Sequence, residues 1–148
     1  MNHRCERLHP LHPLHVSVLG VVALGGAAGA LARAGLSTVF ADPAHGFGWT
    51  TFAINVVGCF LLALLPAAST IRAHHYLPPL LGTGLLGGFT TLSTFSDQTR
   101  VLLAAGRVWL AATYVVGTLA AGLLAVALAD RFSTLSAREE FDEEEGDL

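Results

Sequence analysis

The chain has 148 residues, 53% hydrophobic and 13% charged, with a formal net charge of −3 and a mean hydropathy of +0.59. Soluble domains carry about 25% charged residues, so the composition excludes an ordinary soluble domain and points to a membrane protein. Seven of the 11 acids lie between Glu139 and Asp147; the remainder holds eight Arg against four acids, no Lys, and nothing resembling a nucleic-acid patch.

Four stretches lack Asp, Glu, Lys, Arg and His: from His15 to Arg33, His45 to Arg72, His75 to Asp97, and Arg107 to Asp130. A membrane span needs about 20 apolar residues, so the reading is an all-α membrane protein with four transmembrane helices. Residues 1–15 form a flexible N-terminal tail, 16–129 the transmembrane domain, and 130–148 an acidic, disordered C-terminal tail. So small a bundle has little room for a private cavity, which favours an oligomer.

The tail carries Leu8-His-Pro-Leu-His-Pro-Leu-His15. Its prolines block a helix that would gather the histidines on one face. The first predicted helix, Val16 to Leu36, contains Gly25 and Gly29, a small-xxx-small face for close helix approach. Arg4, Arg7, a short apolar core and Ala30-Leu-Ala32 also fit a signal peptide. Arg33 reads either as a snorkelling helix-end residue or as the mouth of an anion path.

A loop over 37–48 precedes helix two, from Trp49 to Leu65, where Thr51 and Asn55 share a face. A buried Asn in a span needs partners, as interhelical glue or as a pore amide. Cys59 falls in this span and Cys5 in the tail, so no disulfide is expected. Helix three opens at Pro78 and Pro79 and runs to Ala104. Its stretch Gly82 to Asp97 holds four glycines, then alternates hydroxyls with aromatics. Non-helical backbone at membrane depth is tolerated where it is buried in protein or lines a water-filled cavity, so this helix is expected to break. Helix four, Val108 to Ala129, has 22 uncharged residues, with Tyr114, Thr118 and Gly122 on one face. The Arg distribution places the N-terminus inside, but on few charges.

No predicted span carries a central Asp or Glu, which argues against proton-coupled cation transport. No Ser-His-Asp set, metal-ligand spacing or phosphate loop appears, so the chain does not read as an enzyme. The spans instead hold donors without negative charge: Asn55, Thr51, Ser93, Thr94, Thr118 and Tyr114, with Phe89 and Phe95 near them. Aromatic rings are positive at their edges. Donors and ring edges suit a small, strongly hydrated anion whose hydration shell must be replaced at close quarters.

Three segments carry a resemblance. They are Gly25-Gly-Ala-Ala-Gly-Ala-Leu-Ala-Arg33, Asn55-Val-Val-Gly-Cys-Phe60 and Gly87-Gly-Phe-Thr-Thr-Leu-Ser-Thr-Phe-Ser96, in order along four spans. The sequence resembles the CrcB/Fluc family of fluoride channels over roughly residues 16–129. The resemblance implies a multi-pass protein of the cell membrane that passively exports fluoride. It implies an antiparallel dual-topology dimer with two fluoride pores and a structural sodium ion at the interface. By motif position, Gly87 and Thr90 supply backbone carbonyls to the sodium. The pore asparagine falls on Asn55, the aromatic site on Phe95, the hydroxyl track on Ser93, Thr94 and Thr118, the vestibule arginine on Arg33 and the helix-four tyrosine on Tyr114.

Two positions depart from that pattern. Leu92 stands where the family places the first of two phenylalanines, and Gln98 where an acid is common, with Asp97 displaced by one. They raise the alternative of a non-conducting or asymmetric subunit of a heterodimeric channel, alongside the homodimer. A small dual-topology drug or cation transporter is a third class, opposed by the missing intramembrane carboxylate.

Overall fold

The computed structural model describes the backbone of residues 13–146 and the side chains of residues 17–133. Among the described residues the ordered elements are all helical. Helix α1 spans Pro13–Val39 and α2 spans Trp49–Leu64, extended by a 3₁₀ turn over Leu65–Ala67; α3 is the short helix Ser69–Arg72. A π-helical segment, Pro79–Leu86, runs into α4, Gly87–Phe89; α5 covers Leu92–Ala104 and α6 covers Val108–Gly146.

Among the described residues, three helical stretches are long and apolar enough to cross a membrane: Ser17–Val39, Trp49–Ala67 and Val108–Ser133. The expected third helix is not one helix but a chain of pieces. Thr90 (φ −73°, ψ 156°) and Thr91 (φ −146°, ψ 120°) are extended, and they separate α4 from α5. The interruption thus sits at the two threonines, while Gly87 remains helical with φ −64° and ψ −37°. The acidic composition predicts disorder after Ala129, yet the backbone of α6 stays helical through Gly146. Its Leu, Ala, Arg and Glu residues are all good helix formers.

Glycines set the packing of α1. A Cβ on Gly25 would stand 2.4 Å from the Leu80 carbonyl oxygen, and one on Gly29 would stand 2.0 Å from that of Leu85. The contact is reciprocal. A Cβ on Gly84 would lie 2.9 Å from the Val22 oxygen, and one on Gly88 would lie 2.3 Å from the Gly26 oxygen. The predicted small-xxx-small face on α1 therefore meets a second one, Gly84-x-x-x-Gly88, and the two backbones nearly touch. Packing of α2 against α6 forms the other half of the fold. Its core is Leu102, Ala111 and Tyr114, with Phe47, Phe52, Phe95 and Leu110 against it. Between α5 and α6, Gly106 takes a left-handed φ of 72° and ends the helix, its N–H bonding the Leu103 carbonyl.

Much apolar surface remains outside. Leu24, Leu31, Leu92 and Leu123 are each more than 70% exposed. In water such a surface would drive aggregation; in a bilayer it is matched by lipid tails as apolar as Leu.

Candidate functional site: a clasped helix break beside a groove

The α4–α5 interruption leaves backbone groups to be satisfied. Asn55 on α2 answers part of this. Its Nδ2 donates to the Thr91 carbonyl at 3.0 Å, and its Oδ1 accepts from the Thr91 N–H at 2.9 Å. One side-chain amide thus substitutes for a neighbouring strand at the extended residue. The clasp uses one amide hydrogen and one oxygen lone pair; an amide has two of each.

Thr91 also caps α5. Its Oγ1 accepts from the Thr94 N–H at 3.1 Å, lies 3.1 Å from Thr94 Oγ1, and is 3.2 Å from Ser93 Oγ. Three hydroxyls therefore gather at the N-terminus of α5, where the helix dipole is positive. The same bonds divert two donors. In a continuous helix the Thr91 N–H would serve the Gly87 carbonyl and the Thr94 N–H would serve that of Thr90. Here they go to Asn55 and to Thr91 Oγ1. Between these carbonyls, that of Gly88 accepts from Arg33 Nε at 3.3 Å. The Thr90 side chain turns back, its hydroxyl on the Leu86 carbonyl at 3.0 Å, and its methyl packs where a Cβ on Gly58 would lie only 2.2 Å away.

A groove of about 370 Å³ opens beside the break, between α2, α5 and α6. Asn55, Thr90, Thr91, Phe95 and Thr118 line its polar end, and Leu92 stands at its wall. The Thr118 hydroxyl is buried and donates to the Tyr114 carbonyl at 2.7 Å. Along α6 the expected Tyr114–Thr118–Gly122 face does turn inward: a Cβ on Gly122 would meet Cys59 Sγ at 3.7 Å.

Two expected donors lie elsewhere. Thr51 and Tyr114 belong to a separate cluster at the start of α2, and neither lines the groove. Asp42 organises that cluster. Its Oδ1 accepts from the Thr50 N–H at 2.8 Å; its Oδ2 accepts from the Thr51 N–H and hydroxyl, both at 3.3 Å, and from Gln98 Nε2 at 3.1 Å. Tyr114, wholly buried, donates its hydroxyl to Gln98 Oε1 at 2.6 Å. Burial works to raise the Asp42 carboxyl pKa. The bonds from Thr50, Gln98 and Thr51 outweigh it and leave the pKa below the ordinary 3.8. Phe95 joins the two clusters: it lines the groove, and its ring centroid is 5.1 Å from that of Tyr114.

The structure therefore gathers Asn55, Phe95, Thr118 and Thr90 at the groove. Ser93 and Thr94 stand on the α5 cap and Arg33 behind the break. Thr51 and Tyr114 stand apart. Sequence reasoning passed over three central residues. Thr91 could have been found from the Thr-x-x-Thr spacing at a helix start. Gln98 was visible only as a departure, and Asp42 only as a loop acid.

The sequence profile of a family described as "CrcB-like protein, Camphor Resistance (CrcB)" matches residues 20–129. Several relatives carry the name fluoride-specific ion channel FluC. One from Streptomyces coelicolor is 46% identical over 114 residues, covering 76% of this chain and 74% of its own. One from Nocardia farcinica is 42% identical over 127 residues, covering 82% of this chain and 91% of its own. One from Mycobacterium bovis is 47% identical over 114 residues, covering 75% of this chain and 86% of its own. Match and motifs coincide on the same helices, and the chain belongs to the CrcB-like family.

Proposed function

We propose that this protein is a fluoride-selective channel that lets fluoride leave the cytoplasm passively across the cell membrane. The observation that carries the reading is the clasped break: hydrogen-bond donors and a ring converge beside a groove whose lining holds no carboxylate. The relatives named fluoride-specific ion channels support the choice of anion. Fluoride is small and strongly hydrated, so closely spaced donors replace its water better than that of chloride. Asn55, Phe95, Thr118 and the hydroxyls of Ser93 and Thr94 form the path, with Arg33 drawing anions toward it.

The interrupted segment 79–104 is the fourth crossing, made viable because protein covers its break. The exposed apolar faces supply the surface for an antiparallel dual-topology dimer. A sodium ion held by the Gly87 and Thr90 carbonyls fits this architecture, since both have lost their usual donors to Asn55 and Thr91. Such an ion would add a fixed positive charge beside the break.

Purified protein in liposomes is expected to release fluoride and retain chloride, with Asn55→Ala and Phe95→Ala slowing release. Equal efflux of both anions overturns the selectivity claim. One observation favours a second reading, a subunit of an asymmetric channel. Leu92 stands on the groove wall, 74% exposed, and presents no positive ring edge there. Silent liposomes that conduct after Leu92→Phe, or after addition of a second family subunit, would select that reading.

A further inference from the structure

The second cluster has a chemistry of its own. Four segments meet around the Asp42–Gln98 bond: the loop before α2 through Asp42, α2 through Thr51 on Asp42, α5 through Gln98, and α6 through Tyr114 on Gln98. Resting on the channel reading above, we propose that Asp42 and Gln98 are a positioning pair that holds Tyr114, and through it Phe95, against the groove.

The bond directions require this pairing. Gln98 sits between a donor, the Tyr114 hydroxyl at 2.6 Å, and an acceptor, Asp42 Oδ2 at 3.1 Å. A neutral amide alone among similar side chains offers an acceptor to one and a donor to the other. A glutamate would serve Tyr114 but would set two carboxylates face to face, where like charges cannot both ionise comfortably. Asp42 is not free to turn away, because Thr50 and Thr51 hold its oxygens through backbone N–H groups. The close approach is built into the backbone as well. A Cβ on Gly48 would lie 2.4 Å from Gln98 Oε1 and 2.9 Å from the Tyr114 hydroxyl, so a side chain there would have to displace the Gln98–Tyr114 bond.

The end of the chain of contacts is the groove. Tyr114 is wholly buried, its ring centroid 4.9 Å from that of Phe47 and 5.1 Å from that of Phe95. Edge-on and tilted rings at these distances hold one another's orientation. A hydroxyl fixed at Gln98 therefore fixes the angle at which Phe95 meets the groove.

The test is an exchange of charge within the pair, using the full chain in liposomes. Gln98→Glu alone is expected to slow fluoride release by about tenfold or more, through repulsion from Asp42. Adding Asp42→Asn removes the repulsion and lets the new amide donate to the new carboxylate, while the Thr51 N–H loses the oxygen it donated to. Release should then recover in part, to about threefold or more above that of Gln98→Glu alone. A purely structural role would make the double variant worse than either single one. That outcome, or a Gln98→Glu protein as fast as wild type, overturns the proposal. Melting of wild type, Gln98→Glu, Asp42→Asn and the double variant in detergent keeps the two readings apart. A wild type that releases no fluoride, alone or with a second family subunit, sinks the channel reading and the transport role together. The positioning pair is then judged by whether the two substitutions are coupled in melting temperature, and their simple additivity refutes it.

Discussion

The two halves of the interrupted segment are held in opposite ways. The first half, Pro79 to Phe89, is fixed by backbone against backbone, with Gly25, Gly29, Gly84 and Gly88 letting α1 approach until carbonyls nearly touch Cα atoms. The second half, Leu92 to Ala104, is fixed by side chains: Thr91 caps it, and Gln98 ties it to Asp42 and Tyr114. The break between them lets each half use its own means. A continuous helix would have to present glycines and polar groups in one register, and the Thr90–Thr91 interruption removes that constraint. The first half thereby becomes a rigid wall, and the second an element whose placement depends on a few hydrogen bonds.

The contrast is broken most severely on the glycine side. Gly29→Ala would place a methyl 2.0 Å from the Leu85 carbonyl oxygen, with backbone on both sides and nothing flexible to yield. The expected cost is about 3 kcal/mol or more, read as loss of folded protein or a steep drop in melting temperature in detergent. Gly117→Ala is the control: nothing lies within 4 Å of its Cβ, so its stability should stay within about 1 kcal/mol of wild type. Equal behaviour of the two variants would mean that α1 and the π-helical segment are not in backbone contact.

Next in size is the clasp. Asn55→Leu keeps the apolar volume but leaves the Thr91 N–H and carbonyl without their partner. Each orphaned buried group costs about 1–3 kcal/mol. Because the clasp also faces the groove, fluoride release should fall by tenfold or more, as estimated from the same loss. A variant that keeps normal flux would show that the break holds itself open without α2.

These two regions also differ in how far the sequence disclosed them. The Gly25–Gly29 face, the broken third helix and the inward Tyr114–Thr118–Gly122 stripe follow from spacing, because close backbone approach demands small residues at fixed intervals. The position of the break within its stretch did not follow. Glycine weakens a helix everywhere it occurs, but Gly87 stays helical in a segment packed against α1, while the break falls where Asn55 takes both backbone groups of Thr91. Nor did the polar cluster follow: Asp42 and Gln98 are 56 residues apart and meet only through the fold. Tyr114 and Thr51, read as donors within the spans, are hydrogen-bonded in that cluster and do not line the groove. A donor's availability depends on its partner, and partners at long range leave no periodic trace.

A smaller effect separates the cap from the clasp. Thr91→Val removes the hydroxyl that accepts from the Thr94 N–H while keeping the extended, β-branched backbone preference. Loss of such a cap costs about 1 kcal/mol, and Thr91→Ser should recover most of it. Melting curves of the two variants check this. If Thr91→Ser is as unstable as Thr91→Val, the methyl and not the hydroxyl supports the break.

The smallest expected effect lies in the acid dependence of the side-chain half. Asp42 has a carboxyl pKa below its ordinary 3.8, burial being outweighed by the bonds from Thr50, Gln98 and Thr51. A carboxyl lowered by folding adds stability above its ordinary pKa and loses it as pH falls through the folded value. The melting-temperature advantage of wild type over Asp42→Asn should therefore be constant near neutrality and shrink below about pH 4, as both proteins come to carry a neutral group at this position. Gly29 and its neighbours carry no titrating group, so the glycine half contributes nothing to that window. An advantage that persists unchanged to about pH 2 would show that Asp42 acts through shape and not through charge, and the contrast between a backbone-held wall and a charge-held helix would then narrow to one of side-chain size.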